Sequence, residues 1–193
     1  MTQPMPDFAA ARRAMIDSQL RPLGVADASV LAAMAAVPRE RFVPEALRAV
    51  AYSDRSLDLG EGGSLMAPAA LAMLIAELQP RAGERALVVG SGNGYAAQIL
   101  ETLGLDVDVA DGPAPAGKTP YDLILIDGAV EEVPSSLVAM LDTGGRLGTA
   151  IADNGVTRLA VGHVAGGVLG LRRFADGQVP LLPAFTRPRV FTF

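Results

Sequence analysis

Apolar positions along this chain follow a helical period at first and a strand period later. Phe8-Ala-Ala-Ala-Arg-Arg-Ala-Met15 runs toward Leu20 as one helical stretch. After the turn Arg21-Pro22-Leu23-Gly24, Asp27 is placed to cap a helix through Val30, Leu31, Met34 and Val37. Glu45 to Val50 reads as a shorter helical piece, and Leu57 to Met66 as a glycine-rich loop. A helix over Pro68–Leu78 follows, its proline in the first turn, where the missing N–H costs little. Strands are expected near 86–90, 106–110, 123–127 and 146–151, with helices near 95–103 and 135–141. Arg158–Val164, Gly167–Arg173 and Val190–Phe193 also read as strands, the glycines at 166 and 167 suiting a hairpin turn. Alternating strands and helices followed by a hairpin predict a three-layer α/β fold with an antiparallel C-terminal edge and N-terminal helices.

The run Ala86-Leu-Val-Val-Gly-Ser-Gly-Asn-Gly-Tyr95 reads as buried strand, glycine turn and helix start. Gly90, Ser91, Gly92, Asn93 and Gly94 would bring backbone N–H groups close to a bound nucleoside. The spacing is G-x-G-x-G, not the G-x-G-x-x-G of dinucleotide folds, which points away from a pyrophosphate and toward S-adenosylmethionine. Turn glycines between a strand and a helix are also common without a ligand. Asp111 lies 21 positions past Gly90 at the end of a strand, where an acid holding ribose hydroxyls is expected. Asp111-Gly112-Pro113 is equally good turn chemistry. Asp127 ends the next strand and precedes Gly128. It either contacts the adenosine end of a cofactor or caps the turn toward Glu131 and Glu132.

At 193 residues one domain is the natural count: N-terminal helices and a loop over 8–80, and an α/β core over 81–193. Half the residues are apolar, which marks a globular chain. A net charge of −5 without a basic run argues against nucleic acid as a partner. With no cysteine and one histidine, His163, there is no material for a disulfide or for a thiolate or histidine metal site, so no metal is expected. His163 reads as a surface or edge residue of an apolar strand. The N-terminus lacks a signal-peptide pattern, and Leu65 to Ala76 is too short to span a bilayer. No membrane association is expected, and a cytoplasmic location is the default.

Several segments together resemble the protein-L-isoaspartate O-methyltransferase family: Met15-Ile-Asp-Ser-Gln-Leu-Arg21, Val37-Pro-Arg-Glu-Arg-Phe-Val-Pro44 and Ala51-Tyr-Ser-Asp54. The glycine loop ending in Gly94-Tyr95 resembles that family's cofactor motif. Pro120-Tyr-Asp-Leu-Ile-Leu-Ile-Asp-Gly-Ala129 and Gly144-Gly-Arg-Leu147 fall where the family has its fourth strand and the turn into its fifth. The resemblance covers most of residues 14–150. It implies a Rossmann-like S-adenosylmethionine-dependent methyltransferase fold, S-adenosylmethionine as cofactor, and methyl transfer to the carboxylate of isoaspartyl residues in a protein or peptide substrate.

The departures shape what is expected of the activity. The family's substrate loop reads Gly-x-Gly-Gln-Thr-Ile-Ser-x-Pro, whereas here it is Gly60-Glu-Gly-Gly-Ser-Leu-Met-Ala-Pro68. Ser64 replaces the threonine and keeps one hydroxyl, so it is the candidate catalytic side chain. Met66 replaces the serine associated with catalysis and forms no strong hydrogen bond to a carboxylate. As a purely structural alternative, Leu65 and Met66 seat the loop on the core. Val88 stands where the family places an acid. Only nine residues separate Asp111 from Tyr121, where a helix, a strand and two connections take roughly 25–35. One strand–helix unit is therefore expected to be missing. Asp106–Asp111 is then either the second strand, with its ribose acid, or the third, with none. The resemblance implies carboxyl methyl transfer in protein repair, and the departures predict weak or lost activity. The alternative is a catalytically inactive member acting as a binding or interaction module. A nicotinamide-dependent oxidoreductase is disfavoured by the glycine spacing.

Overall fold

The computed structural model describes residues 7–90, 94–113 and 120–186. Helix α1 (Phe8–Met15) opens at Asp7, whose carboxylate accepts the Ala10 N–H, and runs into a π-helical turn over Ile16–Leu20. Helix α2 (Ala28–Ala36) is capped by Asp27, which accepts the Ser29 hydroxyl and the Val30 and Ser29 N–H groups, bonds that lower its pKa. Two 3-10 turns follow, Arg39–Phe42 and Glu45–Val50. The segment expected as a loop is a small antiparallel hairpin instead, β1 (Leu57–Gly60) and β2 (Gly63–Leu65). Its tip takes positive φ at Gly60, Glu61 and Gly62, which is why the glycines interrupt the strand pattern without abolishing it. Helix α3 (Pro68–Leu78) is apolar nearly all round and is buried accordingly.

Strands β3 (Arg85–Gly90), β4 (Asp106–Ala110), β5 (Tyr121–Val130), β6 (Leu141–Asp153), β7 (Val156–Ala165) and β8 (Val168–Asp176) form one sheet in the order β4-β3-β5-β6-β7-β8. The first four are parallel and the last two antiparallel. Gly166 and Gly167 turn β7 into β8 with φ of 58° and 78°. This is the expected α/β architecture with its antiparallel C-terminal edge. The expected strand over 190–193 lies outside the described residues. Gly144 and Gly145, expected as a turn before β6, lie within it at a register shift.

Two cores flank the sheet. On one face Ala86, Val88, Leu123 and Leu125 pack with α2, α3 and α4 (Tyr95–Thr102). The other face, with Leu87, Val89, Ile124 and Ile126, is covered by α5 (Ser135–Val138) and by Leu182 and Phe185. The expected helix over 135–141 is this short because β6 begins at Leu141. Among the described residues β4 is the outermost strand, and no helix lies between it and β5. Among the described residues, then, β4 leads to β5 with no further strand or helix between them. His163 is exposed on β7.

A polar cluster ties the N-terminal helices to the rest of the molecule. Arg12 Nε donates to the Tyr52 hydroxyl at 2.7 Å and Nη2 to Glu40 Oε1 at 3.2 Å, while the Tyr52 hydroxyl donates to Glu40 Oε2. Burial and the bond to Glu40 push the Tyr52 hydroxyl up to about 12. Burial opposes ionisation of Glu40, but the Tyr52 and Arg12 bonds hold it below the usual carboxylate range. Both signs follow from linkage. The Glu40 contribution is complete above its ordinary value of 4.5 and is lost as pH falls through its lower folded value. Tyr52 remains protonated in the folded chain after the unfolded chain begins to lose its proton near 10.0, so stability falls from there to about 12. Urea midpoints recorded across this range are expected to show that alkaline loss in the parent chain. In Tyr52→Phe it disappears, at a cost of about 1 kcal/mol at neutral pH; an unchanged alkaline limb would assign the loss elsewhere.

Candidate active site

Three of the sequence-derived site residues meet at one end of the sheet. Gly90 of β3 lies opposite Asp127 of β5. Val89 lies opposite Ala110 of β4, which puts Asp111 on the same row. The chain leaves β3 for β4 on one side and returns to β5 on the other, and open α/β sheets bind ligands at such a switch point. A cleft of about 320 Å³ opens there. Its floor is Gly90, Asp111 and Gly112; the tip of the β1–β2 hairpin, Glu61 to Gly63, forms a second wall, and Leu182 to Phe185 a third.

The glycine motif divides by function. Gly90 has a φ of 151°, and a Cβ there would lie 3.0 Å from the Asp127 carbonyl oxygen. Its lack of a side chain is required by packing against β5. Gly94, with φ of 76°, starts α4. Ser91, Gly92 and Asn93 lie outside the described residues. Tyr95 is fully buried, edge-on to Phe42 at 5.3 Å, with burial raising its pKa. It anchors the helix start to the N-terminal helices.

Asp111 is exposed at the cleft, as a ribose-binding acid must be. Because β4 pairs directly with β3, Asp111 stands beside Gly90 whichever strand of the family it descends from. Asp127 differs from expectation. β5 continues through it to Val130, so it caps no turn, and its side chain is 5% exposed, outside the cleft lining. Asp127 lies within a register shift between Leu125 and Ala129, after which β5 pairs with β6 again at Ala129 and Val130.

The substrate-type loop also differs in detail. Ser64 is buried on β2, opposite Asp58 and next to Gly63 of the cleft wall. Leu65 and Met66 are each 1% exposed, so they seat the hairpin on the core. Met66→Ser is therefore expected to lower stability by about 2–3 kcal/mol in urea unfolding. It should not raise methyl transfer, because the side chain at 66 points inward. A gain in turnover would show that the position reaches the substrate.

Sequence reading singled out neither Arg39 nor Glu61, and it took the segment ending at Phe185 as one that packs, which the burial of Phe185 bears out. Arg39 has no exposed surface. Its Nε donates to the Ala51 carbonyl at 2.7 Å and its Nη2 to the Met66 carbonyl at 2.6 Å, with the guanidinium 5.0 Å from the Tyr95 ring centre. Burial lowers its pKa, and the fields of Tyr95 and Asp127 oppose that. With Glu40 and Arg41 directly after it, Arg39 carries no local sign of burial.

Comparison with known proteins decides the family. The model of the protein-L-isoaspartate(D-aspartate) O-methyltransferases matches residues 10–107 and 100–163. The chain belongs to the protein-L-isoaspartate O-methyltransferase family. The two matched segments share residues 100–107, from α4 into β4. A relative so named from Methylorubrum extorquens is 37% identical over 173 residues, covering 76% of each chain. One from Marinobacter nauticus is 33% identical over 211 residues, covering 91% of this chain and 94% of its own. Since 211 aligned positions exceed the 193 residues here, that relative carries residues with no counterpart in this chain. Among solved structures, a putative protein-L-isoaspartate O-methyltransferase from Plasmodium falciparum, in complex with S-adenosyl-L-homocysteine, superposes with a TM-score of 0.74 at 17% identity. The match covers 93% of this chain and 99% of that one, and it bears out the Rossmann-like methyltransferase fold. No helix among the described residues is long and apolar enough to cross a membrane.

Proposed function

We propose that this chain binds S-adenosylmethionine in the Gly90–Asp111 cleft and methylates the carboxylate of isoaspartyl residues in proteins. The observation that carries this is the exposed Asp111 beside Gly90 at the switch point, inside a cleft walled by the substrate-type hairpin. The relatives' shared name and the S-adenosyl-L-homocysteine in the Plasmodium falciparum structure support the same reading.

The residues present fit that cofactor. Asp111 would accept hydrogen bonds from the ribose hydroxyls, and Gly90 would offer its backbone N–H group. When bound, S-adenosylmethionine supplies an electrophilic methyl group on a positively charged sulfur. The chain's own task is modest. A carboxylate is already nucleophilic and the leaving group departs neutral, so no base must remove a proton. Orientation and exclusion of water carry the rate. Leu182 and Pro183 keep one side of the cleft apolar, and the hairpin tip positions the substrate from the other. Ser64 is the hydroxyl nearest in sequence to the tip. Glu61 and Asp111 both line the cleft and repel an approaching carboxylate, so slow turnover is expected. No feature of the structure favours a non-catalytic module.

Calorimetric titration with S-adenosylhomocysteine, followed by methyl incorporation into paired isoaspartyl and aspartyl peptides, tests the reading. Micromolar binding with slow methylation of the isoaspartyl peptide alone is expected. Absence of binding at millimolar S-adenosylhomocysteine would sink the cofactor assignment, and equal labelling of both peptides would sink the substrate assignment.

A further inference from the structure

The third wall of the cleft is made from the C-terminal segment, and its construction is specific. The Ala129 N–H donates to the Pro180 carbonyl at 2.8 Å, and the Leu182 N–H donates back to the Ala129 carbonyl at 2.9 Å. This strap therefore lies parallel to the end of β5. Leu182 fills the space a Cβ on Gly128 would take, its Cγ 2.4 Å from that point. Gly128 thus admits the strap. Beyond Leu182 a 3-10 turn, Pro183–Phe185, closes with the Phe185 N–H donating to the Leu182 carbonyl at 2.9 Å. Phe185 is 6% exposed, held in the second core, yet it lines the cleft with Asp111 and Gly112.

Two facts combine here. Among the described residues the strand-end row of β5, β3 and β4 ends at Asp111. One wall of the cleft runs from Leu182 to Phe185, and Phe185 is the only aromatic residue among the described lining. A nucleoside anchored by its ribose presents one large flat apolar part, the base. We propose that Phe185, backed by Leu182, is the base-binding wall for the adenine ring. This rests on the cofactor reading above and adds to it a base-binding residue on the C-terminal strap.

The test uses the full chain, with Phe185→Ala and Phe185→Leu as variants. Phe185→Leu keeps an apolar group of similar bulk in the core and removes only the ring. Dissociation constants are measured for S-adenosylhomocysteine and for 5′-methylthioadenosine, which has the base and ribose but no amino-acid part. Calorimetry serves for the first and ligand-observed NMR at millimolar concentration for the second. Phe185→Ala is expected to weaken both ligands by the same factor, about tenfold. Phe185→Leu should weaken both by about fivefold, with its thermal midpoint close to that of the parent. Unchanged constants for both ligands would overturn the proposal. So would a loss confined to S-adenosylhomocysteine, which would place the strap at the amino-acid end of the ligand. If the parent chain binds neither ligand, the cofactor reading itself fails, a result distinct from a parent that binds and variants that bind equally.

Discussion

Replacing Arg39 by methionine is expected to lower the stability of the folded chain by about 3–5 kcal/mol. Against a typical total of about 5–15 kcal/mol, such a loss brings the chain close to unfolding at ordinary temperature. The size comes from what is left behind. Met fills much of the volume but donates nothing, so the Ala51 and Met66 carbonyls lose the donors now at 2.7 and 2.6 Å. The buried Asp127 loses the cation whose field it feels. Lysine should recover little, because one ammonium cannot reproduce donors pointing along two edges of a planar fork while stacking on Tyr95. Urea unfolding of Arg39→Met and Arg39→Lys checks this. A methionine variant within about 1 kcal/mol of the parent would show that the buried cation gives no net stabilisation. Any variant that stays folded should also bind S-adenosylhomocysteine weakly, since Arg39 links the hairpin exit at Met66 to the helix start at Tyr95.

Asp111→Ala is expected to raise the dissociation constant for S-adenosylhomocysteine by about ten- to a hundredfold, the loss of hydrogen bonds to a charged acceptor. Thermal stability should not change, because the side chain is exposed. That separation of binding from stability distinguishes a ligand contact from an Asp-Gly turn, whose loss would lower the melting midpoint and spare affinity. Asp111→Asn keeps one acceptor and should fall between the two. Equal affinity in the parent and Asp111→Ala would remove Asp111 from the site.

Much of the sheet was legible because buried strands announce themselves. Leu87 to Val89 and Leu123 to Ile126 are unbroken apolar runs, and helix α3 was delimited by Pro68 at one end and by the close of its apolar run at Leu78. The adjacency of β4 to β3 was not legible. Residues 106–111 fit either of two places, and only pairing within the folded sheet distinguishes them. Asp127 misled for a related reason: Asp-Gly is a turn signal locally, but pairing with Gly90 on β3 and the strap beside Ala129 hold the segment extended. Met66 was correctly weighed as a core residue, since its apolar side chain has one place to go. Arg39 and Phe185 act through distant partners, and short-range pattern carries no record of those.

One edge of the sheet has a consequence for how molecules meet. Among the described residues β4 has no strand on its outer side, and Val109 on it is 54% exposed. Such an edge is a template for pairing with another copy, and flanking charges are the usual guard. Here the guard is Asp106, Asp108 and Asp111, all carboxylates on or just past a strand of five residues. The chain's overall charge vanishes near pH 4.9. Colloidal behaviour of this protein is thus tied to acidity, with the edge least protected where net repulsion between molecules is also weakest.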